Sequence, residues 1–144
     1  MDLLNKEQIP DDDDSIKCCQ KCKKKLGKKI ELYKTPYYLI IHLNRFKQKT
    51  INKTNFSNKD DTFIEYKEIL NLKDFVIGPN KDKSLYDLYG IVLHTKFMNF
   101  SSHYISYCKN YGSWFSYDDK SFKDIKNPIN KDAYLLFYKR RYFK

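Results

Sequence analysis

Apolar and polar residues are arranged along this chain in three different ways. Residues 1–17, which include the run Ile-Pro-Asp-Asp-Asp-Asp, show little periodicity and read as an exposed leading segment. From residue 30 the pattern becomes strand-like. The runs 30–34 (IELYK) and 37–46 (YYLIIHLNRF) are rich in β-branched and aromatic residues, and Pro36 stands just ahead of the second, so two strands are predicted. In the second run only His42, Asn44 and Arg45 interrupt the apolar residues, which predicts a central strand covered on both faces for part of its length. Residues 47–61 lack apolar periodicity and read as a polar loop or a hairpin excursion. The apolar positions Phe63, Ile64, Ile69, Leu70, Leu72 and Phe75, closed by Gly78-Pro79, predict a short strand, a turn and a little helix.

After a polar loop at 80–84 (NKDKS), strand-like runs follow quickly at 85–97, 103–110, 113–119, 121–125 and 133–143. Each is bounded by Gly, Asn, Ser, Asp or Pro. That spacing predicts an antiparallel sheet, with Tyr111-Gly112 as a tight hairpin joining two of its strands.

Composition narrows the class. The chain has 144 residues, 41% apolar, 17% aromatic and 32% charged, which suits one globular domain. No run of eighteen apolar residues occurs, and the start lacks the basic and apolar regions of a secretory signal. An intracellular protein, cytoplasmic or nuclear and without a membrane partner, is therefore expected. A net charge of +10 invites a nucleic-acid reading. The densest basic stretch, 22–30 (CKKKLGKKI), is nevertheless preceded by four aspartates, and the other lysines are scattered among asparagines and tyrosines. A solvated surface explains this better than a polyanion site. Cys18, Cys19 and Cys22 are too crowded to bridge one another readily, so free thiols or metal ligands are expected.

One pattern carries chemistry. His103 begins a predicted strand, and Asp118 and Asp119 end the next strand of the same hairpin. Antiparallel pairing would bring the imidazole to a carboxylate. A carboxylate that accepts from one imidazole nitrogen fixes the tautomer and supports the imidazolium formed when the other nitrogen takes a proton. The nucleophile is missing from this pattern.

The blocks YLIIHLNRF, YKEILNLKDFV, YDLYGIVLH, SSHYISYCKN, SWFSYDD and AYLLFYKRR occur here in order. Together they resemble the C-terminal half of the catalytic domain of the ubiquitin-specific proteases, papain-like cysteine peptidases that cleave ubiquitin from other proteins. The resemblance covers nearly the whole chain from about Cys19, and its most specific pieces are His103-Tyr104, the stretch from Trp114 to Asp119, and residues 133–138. It implies an α+β, papain-like fold, incomplete here. Residues 18–144 would form most of a predominantly antiparallel palm sheet with part of the fingers. It also implies that His103 is the general base, Asp118 its carboxylate partner, and Asp119 a neighbouring acid that supports catalysis through polar contacts. Tyr104 and Trp114 would chiefly pack and shape the site. Cys19 and Cys22 match half of a four-cysteine structural zinc site, with no cofactor implied for catalysis. Ubiquitin, ubiquitinated proteins and the N-terminal half of the domain are the implied partners.

This chain departs from the family pattern in places. The Gly-Asn-Thr-Cys sequence that carries the family's nucleophile does not occur in it, and Cys108, within a predicted strand, reads as a small buried thiol. Ser102 stands where the family usually has Gly, Leu93-His94 where it has Asn-His, and Leu70-Asn71-Leu72 where it has Leu-Asp-Leu. The resemblance therefore implies thiol-dependent hydrolysis of bonds at the C-terminus of ubiquitin, with these residues supplying the His/Asp half of the triad. A non-catalytic ubiquitin-binding module of the same fold is the alternative. A basic nucleic-acid binder built on Cys19, Cys22 and the lysines after them is the third.

Overall fold

The computed structural model describes residues 21, 31–51, 54–97 and 101–142. Cys18, Cys19 and Cys22, the four-aspartate run and the basic stretch 22–30 lie outside the described residues. Within them the chain forms β1 (Tyr38–His42), β2 (Phe46–Ile51), β3 (Thr54–Lys59), β4 (Ile69–Asn71), β5 (Leu85–Phe97), β6 (Ser101–Asn110), β7 (Ser113–Asp118), β8 (Ser121–Ile125) and β9 (Ala133–Arg140). The main sheet runs β1-β9-β5-β6-β7-β8 with every pair antiparallel. The 13-residue β5 is long enough to take two partners in succession on one side, β4 along its first residues and β6 along the rest.

Period-two alternation sorts the side chains. Tyr86, Leu88, Ile91, Leu93, Leu136 and Tyr138 are buried in one core with Tyr66, Leu70, Leu72 and Val76, which the segment between β3 and β5 contributes. Burying such side chains contributes about 1.5–3 kcal/mol each, which is what holds the poorly periodic 62–79 segment in place. That segment contains β4 and a 3-10 turn at Lys73–Phe75, where the pattern predicts a short strand and a little helix. The described residues of the 47–61 run fall mostly in the antiparallel β2–β3 pair. The runs at 85–97 and 121–125 match β5 and β8.

Two expectations need correction. The run 30–34 supplies no strand among the described residues, only an isolated bridge from Leu32 to Val76. Its alternation is too short to gain a ladder, and Leu32 instead packs singly against the core. β1 lies at the end of the sheet rather than in its centre. Leu39 and Ile41 pack against the core while Tyr38, Ile40 and His42 stay exposed, so one face of β1 is covered and the other is not.

Two buried cations lock the β2–β3 ribbon to the sheet. Arg45, 2% exposed, donates from Nε to the Ala133 carbonyl (2.8 Å), from Nη1 to those of Asp60 (3.0 Å) and Thr62 (2.7 Å), and from Nη2 to that of Lys131 (2.9 Å). Lys59 donates to the His94 carbonyl (2.6 Å) and to the Asp132 carboxylate (2.8 Å).

Candidate active site

The β6–β7 hairpin brings the two predicted partners together. Its turn, Tyr111-Gly112, has φ of 50° and 87°, the doubly positive combination that matches the twist of paired strands. From there the ladder runs through Asn110–Ser113 and Cys108–Phe115 to Ser106–Tyr117, so that the far ends of both strands meet. At those ends His103 Nε2 lies 2.6 Å from Asp118 Oδ1. Nε2–H donates to the carboxylate, which leaves Nδ1 as the nitrogen able to take a proton. The hydrogen bond it donates to Asp118 raises the pKa of His103 above the usual histidine value. Desolvation opposes this, and the charges of Asp118 and Asp119 add to it.

Backbone chemistry fixes both groups. Thr95, directly opposite His103 in the β5–β6 ladder, donates its hydroxyl to the His103 carbonyl at 3.3 Å. Ser121 closes the β7–β8 turn by donating to the Asp118 carbonyl at 2.9 Å. Asp119 occupies that turn with φ 47°, a left-handed conformation that Asp tolerates better than most residues, and is exposed. His103, Asp118 and Asp119 place one donor atom each within 4.8 Å of one another, as ligands of a cation do. The Nε2–Oδ1 contact is nevertheless that of a hydrogen-bonded pair, since two ligands of one tetrahedral zinc stand about 3.3 Å apart.

The other end of the hairpin is held from outside. Glu68 accepts from Trp114 Nε1 at 3.0 Å and from Lys109 Nζ at 2.8 Å, while Lys109 lies 5.6 Å from the centre of the Trp114 ring. Both donors, Lys109 first, hold the Glu68 carboxyl below its ordinary pKa. Trp114 is 5% exposed and packs in the core. Tyr104 does not pack in this way. It is 52% exposed and sits on the face opposite His103, against the buried His94 ring at 4.8 Å. Cys108 is half-buried on that same opposite face, and desolvation pushes its thiol pKa up, so it is neither placed nor activated to serve His103.

Sequence reading had not singled out Thr95, Ser121, Glu68 or Arg45. Asp118-x-x-Ser121 carries a local turn signature that points to Ser121. The other three act through register or across long sequence separations, which no local pattern displays.

Comparison with known proteins gives this arrangement a context. The family model described as ubiquitin carboxyl-terminal hydrolase matches residues 13–138. Ubiquitin carboxyl-terminal hydrolase 23 of Arabidopsis thaliana is 33% identical over 127 residues, covering 85% of this chain and 14% of that protein. Ubiquitin carboxyl-terminal hydrolase 2 of Rattus norvegicus is 31% identical over 144 residues, covering 96% of this chain and 22% of that protein. Among solved structures, the SAGA Ubp8/Sgf11/Sus1/Sgf73 DUB module bound to ubiquitin aldehyde superposes with a TM-score of 0.71 at 33% identity, over 92% of this chain and 31% of that one. The antiparallel sheet is that of the papain-like cysteine peptidases. The chain belongs to the ubiquitin carboxyl-terminal hydrolase family, of the ubiquitin-specific protease type, and spans less than a third of the length of each of these relatives. No helix among the described residues is long and apolar enough to cross a membrane.

Proposed function

We propose that these residues are the palm portion of a cysteine-type deubiquitinase, with His103 as general base and Asp118 as its orienting carboxylate. The observation that carries this reading is the 2.6 Å contact of His103 Nε2 with Asp118, which leaves Nδ1 to face a thiol. In the complete enzyme Nδ1 takes the proton of a cysteine supplied by chain outside these 144 residues. The thiolate then attacks the carbonyl of the last glycine of ubiquitin. His103, now an imidazolium supported by Asp118, returns the proton to the leaving amine, and water later releases the acyl group. Asp119 adds negative potential beside the imidazolium. Cys19 and Cys22 supply two of the four ligands a structural zinc needs, so they complete such a site only with a second pair from elsewhere.

The test is to treat native extract with a ubiquitin probe carrying a C-terminal electrophile and to weigh, under denaturing conditions, any labelled polypeptide that contains these sequences. A labelled species much heavier than probe plus the 17.4 kDa of this chain, with labelling lost in His103→Gln, is the expected result. Ubiquitin retained without labelling would instead support a non-catalytic ubiquitin-binding module.

A further inference from the structure

His103 stands on a part of the sheet that is only two strands wide. The β5–β9 ladder ends at Leu93–Ala133, and the β6–β7 ladder starts at Ser106–Tyr117. Between those limits, residues 94–97 of β5 and 101–104 of β6 pair with each other and with no further strand among the described residues. A two-stranded ribbon is marginally stable by itself, so the placement of His103 depends on what fastens the root of this one.

Lys59 supplies that fastening. Where β9 has stopped pairing, both backbone groups of His94 find other partners. The His94 N–H donates to the Asp132 carbonyl at 2.9 Å, and the His94 carbonyl accepts from Lys59 Nζ at 2.6 Å. The ammonium also donates to Asp132 Oδ1 at 2.8 Å and lies 3.4 Å from Asp61 Oδ1. With its side chain 2% exposed, Lys59 thus carries the sheet one residue further without a strand. Phe46, opposite Lys59 in the β2–β3 ladder, adds its ring 5.2 Å from that of His94. Successive residues of a strand turn their N–H and C=O groups to opposite sides. With His94 turned toward Lys59 and Asp132, Thr95 is turned toward His103, whose carbonyl accepts the Thr95 hydroxyl.

We propose that Lys59 is a positioning residue for His103, acting through His94 and Thr95 to hold the imidazole in place against Asp118. Arg45, the other buried cation of the ribbon, binds only carbonyls of residues 60, 62, 131 and 133 and has no such connection to β5 or β6. The catalytic consequence rests on the deubiquitinase reading, whereas the coupling of Lys59 to His103 is measurable without any turnover.

The experiment follows the imidazole resonances of His103 by NMR against pH in the isotopically labelled full chain. Lys59→Met keeps the stem and removes the ammonium. Loss of a positive charge alone would raise the pKa of His103, whereas loosening from Asp118 lowers it, so the sign separates the two. A fall is expected, smaller than the one that Asp118→Asn produces. Arg45→Met removes the same charge and should produce no fall. Replacing one member of a buried pair is costly, but replacing both by apolar residues is close to neutral, so Lys59→Met combined with Asp132→Leu serves if the single variant does not fold. That combination leaves the net charge unchanged and should still lower the pKa, since the His94 carbonyl has lost its donor. An unchanged or raised pKa in a folded variant lacking Lys59, or an equal fall in Arg45→Met, would overturn the proposal. Failure of the deubiquitinase reading would show instead as absence of probe labelling, with the His103 shifts still present.

Discussion

Arg45 offers the most demanding test of how this fold is held. Its guanidinium uses four of its five donors on carbonyls from two separate stretches: Asp60 and Thr62 just after β3, and Lys131 and Ala133 at the entry to β9. Each such charge-assisted bond contributes about 1.5–3 kcal/mol net, a gross of about 6–12 kcal/mol for the four. Replacement by Met keeps most of the aliphatic volume and removes every donor. Only the bond to Ala133 is fully buried, and the other three acceptors are part-buried, so water recovers much of their share. The expected cost of Arg45→Met is then about 3–5 kcal/mol, a large fraction of the roughly 5–15 kcal/mol that stabilises a domain. With a urea slope of about 2 kcal/mol per molar, the unfolding midpoint should fall by about 2 M, measured by tryptophan fluorescence from Trp114. Arg45→Lys should lie between the two, because an ammonium cannot reach all four acceptors at once. A midpoint for Arg45→Met within about 0.5 M of the native one would refute the reasoning, since it would mean that the carbonyls lose nothing when the guanidinium goes.

Asp118→Asn should lower the pKa of His103, read from its imidazole resonances. Because the folded-state pKa is raised by Asp118, the pair stabilises the fold fully below the unfolded histidine value of about 6.5 and ceases to as pH rises through the folded value. The stability gap between the native chain and Asp118→Asn should accordingly be wider at pH 5.5 than at pH 8.5, and an equal gap at both would contradict this sign. Gly78→Ala should lower the thermal midpoint, because a Cβ there would stand 2.0 Å from the Tyr33 carbonyl oxygen. The backbone must shift, at the expense of the Ile77 N–H to Leu32 carbonyl bond of 2.9 Å, and about 1–3 kcal/mol of destabilisation is expected in a calorimetric melt.

The parts of the fold that sequence made legible were those specified locally. Alternation between turn residues located β5 to β9, and Tyr111-Gly112 supplied both positive φ angles of the hairpin. Given that hairpin, the meeting of His103 and Asp118 follows from pairing alone. The exposure of one face of β1 was not legible, because Tyr38 and Ile40 have the same apolar character as the inward Leu39 and Ile41. Arg45 reads as a polar interruption of a strand, and only the three-dimensional arrangement of four carbonyls reveals it as a buried anchor. Ser116 looks like an ordinary outward strand serine, yet it is buried between Tyr107 and Lys123, neighbours set by register and not by adjacency.

The order of strands in the sheet constrains how the chain can be made. β9 is last in sequence, yet it lies between β1 and β5, pairing Leu39 with Tyr138 on one side and Ile91 with Leu136 on the other. During translation β1 and β5 emerge long before the strand that joins them, and each must wait with an open edge until residue 140 has left the ribosome. Closing so long a loop is slow, and waiting edges invite pairing with other chains. A premature stop anywhere before Ala133 would make that exposure permanent. Messages truncated there should yield a product that chaperones and proteases capture, rather than a shortened but folded protein.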